Sequence, residues 1–319
     1  MTQRLTGTEI AVPASIGNLG PGFDTLGLAV SLYLRVRVAR VVPDGRGRLV
    51  CRFADGVPAA PNLIARAFGV SPSKRIRDSI EVEVRSDIPQ RAGLGSSAAA
   101  TVAGLRLRDA LDGTRSLAAL AAVACRLEGH PDNAAAALFG GLTSSCVLSD
   151  GEVRVVRWTW PPSWRILVVT PGVQLSTRAA RGVLPRRVPL EDAVFNLQRI
   201  AHLLGAVTRK DPSALGLALE DRCHQRYRQP LVPVLRDALR LRHRDLLGVC
   251  LSGAGPSIVA FTNSNVAAVE RAVNRLYRKA GVPCTIRRLK VHAAGRVQRR
   301  TIPTAGPGGP VDTDRATRD

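Results

Sequence analysis

The sequence predicts a two-part chain of mixed strands and helices, on three observations. Strand-like and helix-like patterns alternate through residues 1–160, Pro161-Pro162 interrupts the chain near its middle, and long helical patterns dominate the second half. The 319 residues suffice for one large or two modest domains, each with a substantial core.

Each element has its own signal. Leu32 to Val42 alternates in a strand pattern, with Arg35, Arg37 and Arg40 among apolar neighbours. Asn62 to Phe68 opens a helix, and Ile80 to Arg85 is a strand leading to Ile88-Pro89. Ser97 to Leu111 is an alanine-rich helix stopped by Asp112-Gly113. Ser116 caps the next helix, which carries Leu117, Leu120, Val123 and Leu127 at helical spacing. Pro131-Asp132-Asn133 opens a third helix, closed by Gly140-Gly141. Strands come next through Val147 and from Val153 to Trp158.

Beyond the prolines, Ile166 to Thr170 reads as a buried strand, and helical patterns occupy Leu190 to Val207, Pro212 to Leu219 and Val232 to His243. Leu247 to Leu251 and Ser257 to Phe261 read as strands around a glycine-rich turn. Val266 to Ala280 is an amphipathic helix and Thr285 to Val291 a last strand. The expected division is 1–160 and 161–295, with 296–319, rich in Pro, Gly, Asp, Thr and Arg, as a disordered tail.

Composition excludes several classes. Hydrophobic residues make up 45%, and no run of about 18 apolar residues appears, so no membrane span is expected. Met1 to Glu9 is polar and lacks the apolar stretch of a signal peptide, which makes the cytoplasm the default location. Cys51, Cys125, Cys146, Cys223, Cys250 and Cys284 form no Cys-x-x-Cys pair and no zinc spacing with histidine; buried reduced thiols are expected. The net charge of +21 comes almost wholly from arginine, since the lysines are Lys74, Lys210, Lys279 and Lys290. Basic residues are scattered and aromatics for base stacking are only 4%, so any nucleic-acid binding should be nonspecific, through the basic surface.

Chemistry concentrates in three glycine-rich segments. Pro-Gln-Arg-Ala-Gly-Leu-Gly-Ser-Ser-Ala-Ala, residues 89–99, places two glycines before two serines at a helix start, where open N–H groups and the positive dipole end make an anion site. No Gly-x4-Gly-Lys-[Ser/Thr] string exists, so the loop is not of the Walker type. Asn-Leu-Gly-Pro-Gly-Phe-Asp (18–24) lies near the N-terminus and Leu-Ser-Gly-Ala-Gly-Pro-Ser (251–257) near the C-terminus.

In this order and at these separations the three segments resemble the motifs of the GHMP kinases, named for galactokinase, homoserine kinase, mevalonate kinase and phosphomevalonate kinase. The resemblance covers roughly residues 8–295. It is closest to the homoserine kinase branch, through Glu-Gly-His-Pro-Asp-Asn (128–133), Leu-Ser-Thr (175–177) followed by Arg181, and Tyr227-Arg228. The resemblance implies an α+β, two-domain fold. Its N-terminal domain would be like domain 2 of ribosomal protein S5 and its C-terminal domain ferredoxin-like. It further implies a homodimer that phosphorylates the hydroxyl of L-homoserine from ATP with Mg2+, on the route to threonine. Another small hydroxy acid such as threonine, or a noncatalytic nucleic-acid-binding descendant, are the alternatives.

Matched residue by residue, the resemblance assigns Pro89, Arg91, Ala92, Gly93, Leu94, Gly95, Ser96, Ser97 and Ala98 to ATP, with Ser97 and Glu128 on the metal. Asn62 is a further nucleotide candidate and equally a helix cap. Asn18, Asp24, Thr177, Arg181 and Arg228 fall to the acceptor, the arginines suiting a carboxylate; Asn18 and Asp24 also suit turn stabilisation. Asp132, with Asn18 and Asp24, is the candidate for handling the hydroxyl proton, although Asp132 also suits a helix cap. His130 and His224 are alternative proton carriers and more ordinarily structural. Gly253 and Gly255 are expected to buttress the site by shape. Three departures from the family pattern stand out. Gly17 replaces a frequent alanine and should only loosen the turn; Arg178 with Ala179, and Arg226, change charge near the acceptor.

Overall fold

The computed structural model describes residues 5–44, 46–54, 62–70, 76–113, 115–293 and 300–301. In chain order its strands and helices are β1 (Thr8–Gly17), β2 (Leu26–Val42), β3 (Leu49–Phe53), α1 (Leu63–Gly69), β4 (Ser79–Ser86), α2 (Ser96–Asp112), α3 (Leu117–Glu128), α4 (Asp132–Phe139), β5 (Leu142–Val147), β6 (Val153–Trp158), β7 (Arg165–Pro171), α5 (Thr177–Gly182), α6 (Leu190–Arg209), α7 (Leu215–Ala218), α8 (Gln225–Arg228), α9 (Leu235–Leu239), β8 (Leu246–Leu251), β9 (Ile258–Thr262), α10 (Val266–Lys279), β10 (Cys284–Leu289) and β11 (Arg300–Thr301).

Two sheets organise these elements. The first runs β11-β1-β2-β4-β3, with β5 and β6 continuing from the other end of β2; the second runs β10-β7-β9-β8. All pairings are antiparallel except β3 with β4. The first sheet thus draws on residues 8–158 plus 300–301, and the second on 165–289. Of the expected tail, Arg300 and Thr301 pair with β1, and the remainder of 296–319 lies outside the described residues.

Side-chain alternation explains the layering. On β7, Ile166 and Val168 join one core, which they share with β1, β2, α2 and α4; Leu167 and Val169 join a second core beneath α9 and α10. β9 divides the same way, Val259 and Phe261 to the first core and Ile258 and Ala260 to the second. A strand buried on both faces reads as a continuous apolar run, and Ile166 to Val169 does.

Several expectations are corrected. β1 went unpredicted because Pro13 interrupts it; its inward residues Ile10, Val12, Ala14 and Ile16 are fully or almost fully buried, and a bulge follows Pro13. Helix α9 covers only Leu235–Leu239 of the predicted 232–243, since Val232 is extended before Pro233 and Val234 is left-handed at φ 66°. Of the six cysteines, all free, only Cys125 and Cys250 are buried, and Cys146 is exposed.

Candidate active site

The phosphate-loop segment ends at the N-terminus of α2. Gly95 precedes the helix at φ 68°, no side chain caps it, and no acidic residue lies in the first turn. The N–H groups of Ser96, Ser97 and Ala98 therefore stay open at the positive end of a 17-residue helix, an arrangement that favours an anion. Gly93, at φ 75°, lets this loop touch the third glycine segment: an added Cβ would sit 2.3 Å from the Ser252 carbonyl oxygen. Ser252 Oγ donates to the Gly93 carbonyl at 2.8 Å, and the Ser257 N–H donates to Ala92 at 3.2 Å.

Glu128 closes α3, turned off by left-handed Gly129, and its carboxylate faces the first turns of α2. Ser97 Oγ donates to Glu128 Oε1 at 3.0 Å and Thr101 Oγ1 donates to the same atom at 2.6 Å. A hydroxyl and a carboxylate oxygen together beside a helix N-terminus suit a hard divalent cation that keeps most of its waters. Asp24, His130 and Asp132 bring ligand atoms within 4.8 Å of one another, but each is committed to a neighbour. Asp132 Oδ1 accepts from His130 Nδ1 at 2.6 Å and Oδ2 accepts from Asn133 at 3.0 Å. Burial lowers the His130 pKa, yet the hydrogen bond and charge of Asp132 outweigh it and hold it above its ordinary value.

The opposite wall carries two arginines, Arg228 buried and Arg181 partly exposed. Arg228 is 1% exposed; it donates to the carbonyls of Ala180 (3.1 Å) and Gly253 (2.9 Å) and to His224 Nδ1 (3.1 Å). His224 is fully buried, and burial pushes its pKa down, with Asp221 opposing and Arg228 assisting. A neutral His224 donates from Nε2 to the Gly20 carbonyl at 2.7 Å and leaves Nδ1 as the acceptor for Arg228. Arg181 pairs bidentately with Asp24, Nη2 to Oδ1 at 2.6 Å and Nη1 to Oδ2 at 3.0 Å. Both guanidinium groups lie over the Phe23 ring, at 5.3 and 5.5 Å. Asn18 and Asp24 adopt left-handed backbone, which Asn and Asp tolerate. Asn18 accepts from the Asp24 N–H at 3.1 Å and donates to Gly253 at 3.0 Å, so its amide does hold the turn.

One cleft collects Asn18, Asp24, Arg91, residues 93–98, Glu128, Asp132, Thr177, Arg181, Arg228, Gly253 and Gly255. Asn62, Pro89 and Ala92 do not line it; Asn62 caps α1 through Ala65, and Ala92 is buried behind the loop. Asp132 is no cap: it is the first residue of α4 and its carboxylate faces inward. Gly17 does more than loosen a turn, because a Cβ there would meet Asp132 Oδ2 at 2.6 Å and Asn133 Nδ2 at 2.7 Å. Arg178, Ala179 and Arg226 lie outside the cleft, and Arg226 pairs with Asp192. Sequence reasoning missed Phe23, Asn133, Leu175 and Thr101 and set His130 aside as structural; the Gly-His-Pro-Asp-Asn string was the available signal for His130 and Asn133.

Comparison with known proteins supports the same picture. The family profile for the GHMP kinases N terminal domain matches residues 58–141, and that for the GHMP kinases C terminal domain matches 203–279. Homoserine kinase of Solibacter usitatus is 44% identical over 281 residues, covering 86% of this chain and 91% of its own. The chain belongs to the GHMP kinase family. Homoserine kinase of Moorella thermoacetica is 38% identical over 290 residues, 88% of this chain and 96% of that one. The crystal structure of homoserine kinase from Cytophaga hutchinsonii superposes with a TM-score of 0.76 at 26% identity, covering 90% of this chain and 96% of that one. As a GHMP kinase the chain takes its phosphoryl group from ATP. No described helix is long and apolar enough to cross a membrane.

Proposed function

We propose that this GHMP kinase transfers the terminal phosphoryl group of ATP to the side-chain hydroxyl of L-homoserine, giving O-phospho-L-homoserine for threonine formation. The observation that carries the reading is Arg228, a buried guanidinium in the cleft wall with neutral partners only and no ion pair among the described residues. Such a charge asks for a carboxylate, and its planar fork can take one bidentately. The homoserine kinases to which the chain is similar supply the acceptor's name.

In this reading Arg228 grips the carboxylate, with Arg181 as the neighbouring cation. Asp24 and Asn18 take the amino group, and Thr177 closes the site from α5. Asp132, oriented by His130 and Asn133, accepts the hydrogen bond of the reacting hydroxyl. The open N–H groups of α2 and the loop from Arg91 to Ala98 bind the phosphates. Ser97 and Glu128 would hold Mg2+, which when bound neutralises charge on the transferring group. A loose phosphoryl-transfer transition state depends chiefly on placement and charge neutralisation, so a weak base such as Asp132 suffices.

The test is ADP release with Mg-ATP and L-homoserine, L-threonine, L-serine or mevalonate. Homoserine-dependent turnover is expected. Faster turnover with another alcohol would overturn the acceptor while leaving the family in place.

A further inference from the structure

The chain has three tryptophans, and all three line one cavity that shares no residue with the kinase cleft. Trp160 and Trp164 are 5% and 3% exposed, packed edge to face at 5.3 Å, with Trp160 Nε1 donating to the Trp164 carbonyl at 3.3 Å. Trp158 is half-buried beside them. The cavity measures about 330 Å³, at the lower edge of small-molecule sites.

Its polar lining has one sign. Arg157, Arg165 and Lys290 contribute to the wall, all exposed, and no aspartate or glutamate among the described residues does. Aromatic walls alone would suit a cation, as in ammonium-binding cages. Three positive charges without a counter-charge exclude that and favour an anion. None of the three pairs with a carboxylate among the described residues; Arg157 Nη2 reaches only the Ala293 carbonyl, at 3.4 Å.

The cavity also sits where the two sheets are joined. Thr159 to Trp164 links β6 to β7, and Lys290 to Ala293 carries the chain from β10 back to β2, where Val291 bridges Val30 and His292 donates to Ala29. Both links contribute to the wall, so an occupant would touch each of them.

We infer that this cavity is a second ligand site, for a small anion with a flat aromatic body. The ring packs among the tryptophans and the anionic end faces Arg157, Arg165 and Lys290. The site is independent of the acceptor's identity.

Because every tryptophan lines the cavity, their emission, excited selectively over tyrosine, reports on it directly. The probe is phenylacetate, compared with the neutral isostere phenylacetamide and with acetate. A saturable change with phenylacetate is expected, with both comparison compounds binding about fivefold or more weakly. Replacing two of the three exposed cations, R165Q with K290Q, should weaken phenylacetate about fivefold and leave phenylacetamide unchanged. Absence of a saturable response, equal binding of the amide, or indifference to R165Q/K290Q would each overturn the assignment. So would displacement of the probe by Mg-ATP with homoserine, which would place it in the kinase cleft.

Discussion

Replacing Arg228 by methionine keeps most of the apolar volume and removes the charge. Two consequences need separating. The acceptors at Ala180 and His224 lose the Arg228 donor, a structural loss of about 1 kcal/mol each, while the Gly253 carbonyl keeps its bond from Asn18. The substrate carboxylate also loses its partner, and truncating one side of a buried hydrogen-bonded charge pair costs roughly 2–5 kcal/mol, or about 30- to 5,000-fold in kcat/KM. Burial, then repulsion from Arg181, lowers the Arg228 pKa to about 10, so it is charged at neutral pH, and a bound carboxylate relieves that repulsion. The assay compares L-homoserine with L-homoserinamide, whose carboxylate is a neutral amide. The structural loss falls on both substrates, so their ratio isolates the charge contact. The native enzyme should prefer homoserine by at least about 30-fold and R228M should lose most of that preference. If folded R228M retained the preference, the carboxylate would be held elsewhere and the assignment of Arg228 would fail.

Gly93→Ala places a Cβ 2.3 Å from one backbone oxygen and 2.7 Å from another, at positive φ; thermal denaturation should show a loss of about 3 kcal/mol or more and turnover should vanish. Magnesium titration of E128Q should show a large rise in the metal required, and T101V, which only frees the Glu128 carboxylate, a rise of about tenfold; an unchanged requirement in both would remove the metal from this corner. The two site histidines should oppose each other in acid. His224, whose folded pKa is below 6.5, contributes stability that is complete above that value and lost as pH falls through its folded pKa, so H224Q should flatten the acid side of a melting-temperature profile. His130, raised above 6.5, contributes stability that is complete below that value and lost as pH rises through the folded pKa; H130Q should therefore cost more at pH 5.5 than at pH 9. Equal losses at both pH values would argue against the His130–Asp132 ion pair.

Much of the site was legible as strings. Gly-Leu-Gly-Ser-Ser before an alanine-rich helix announces a phosphate loop because open N–H groups and glycine conformations are local properties. Asn62 and Ser116 were readable as caps for the same reason, each accepting from an N–H three residues on. Strands interrupted by proline, such as β1, and short helices such as α9 were not, because packing from distant segments decides them.

The sequence by itself determined the family, the phosphate loop and most of the residues that meet in the cleft, since these depend on chemical type and short-range backbone geometry. Only the tertiary structure decided how those residues share their bonds. Arg181 is spent on Asp24 while Arg228 stays without a carboxylate, and His224 is neutral because it is buried against Gly20 and Arg228. Thr101 steadies Glu128 across 27 residues, and three tryptophans meet around one cationic cavity. Partner choice and burial are set by which segments the fold brings together, and no local pattern of residues encodes that.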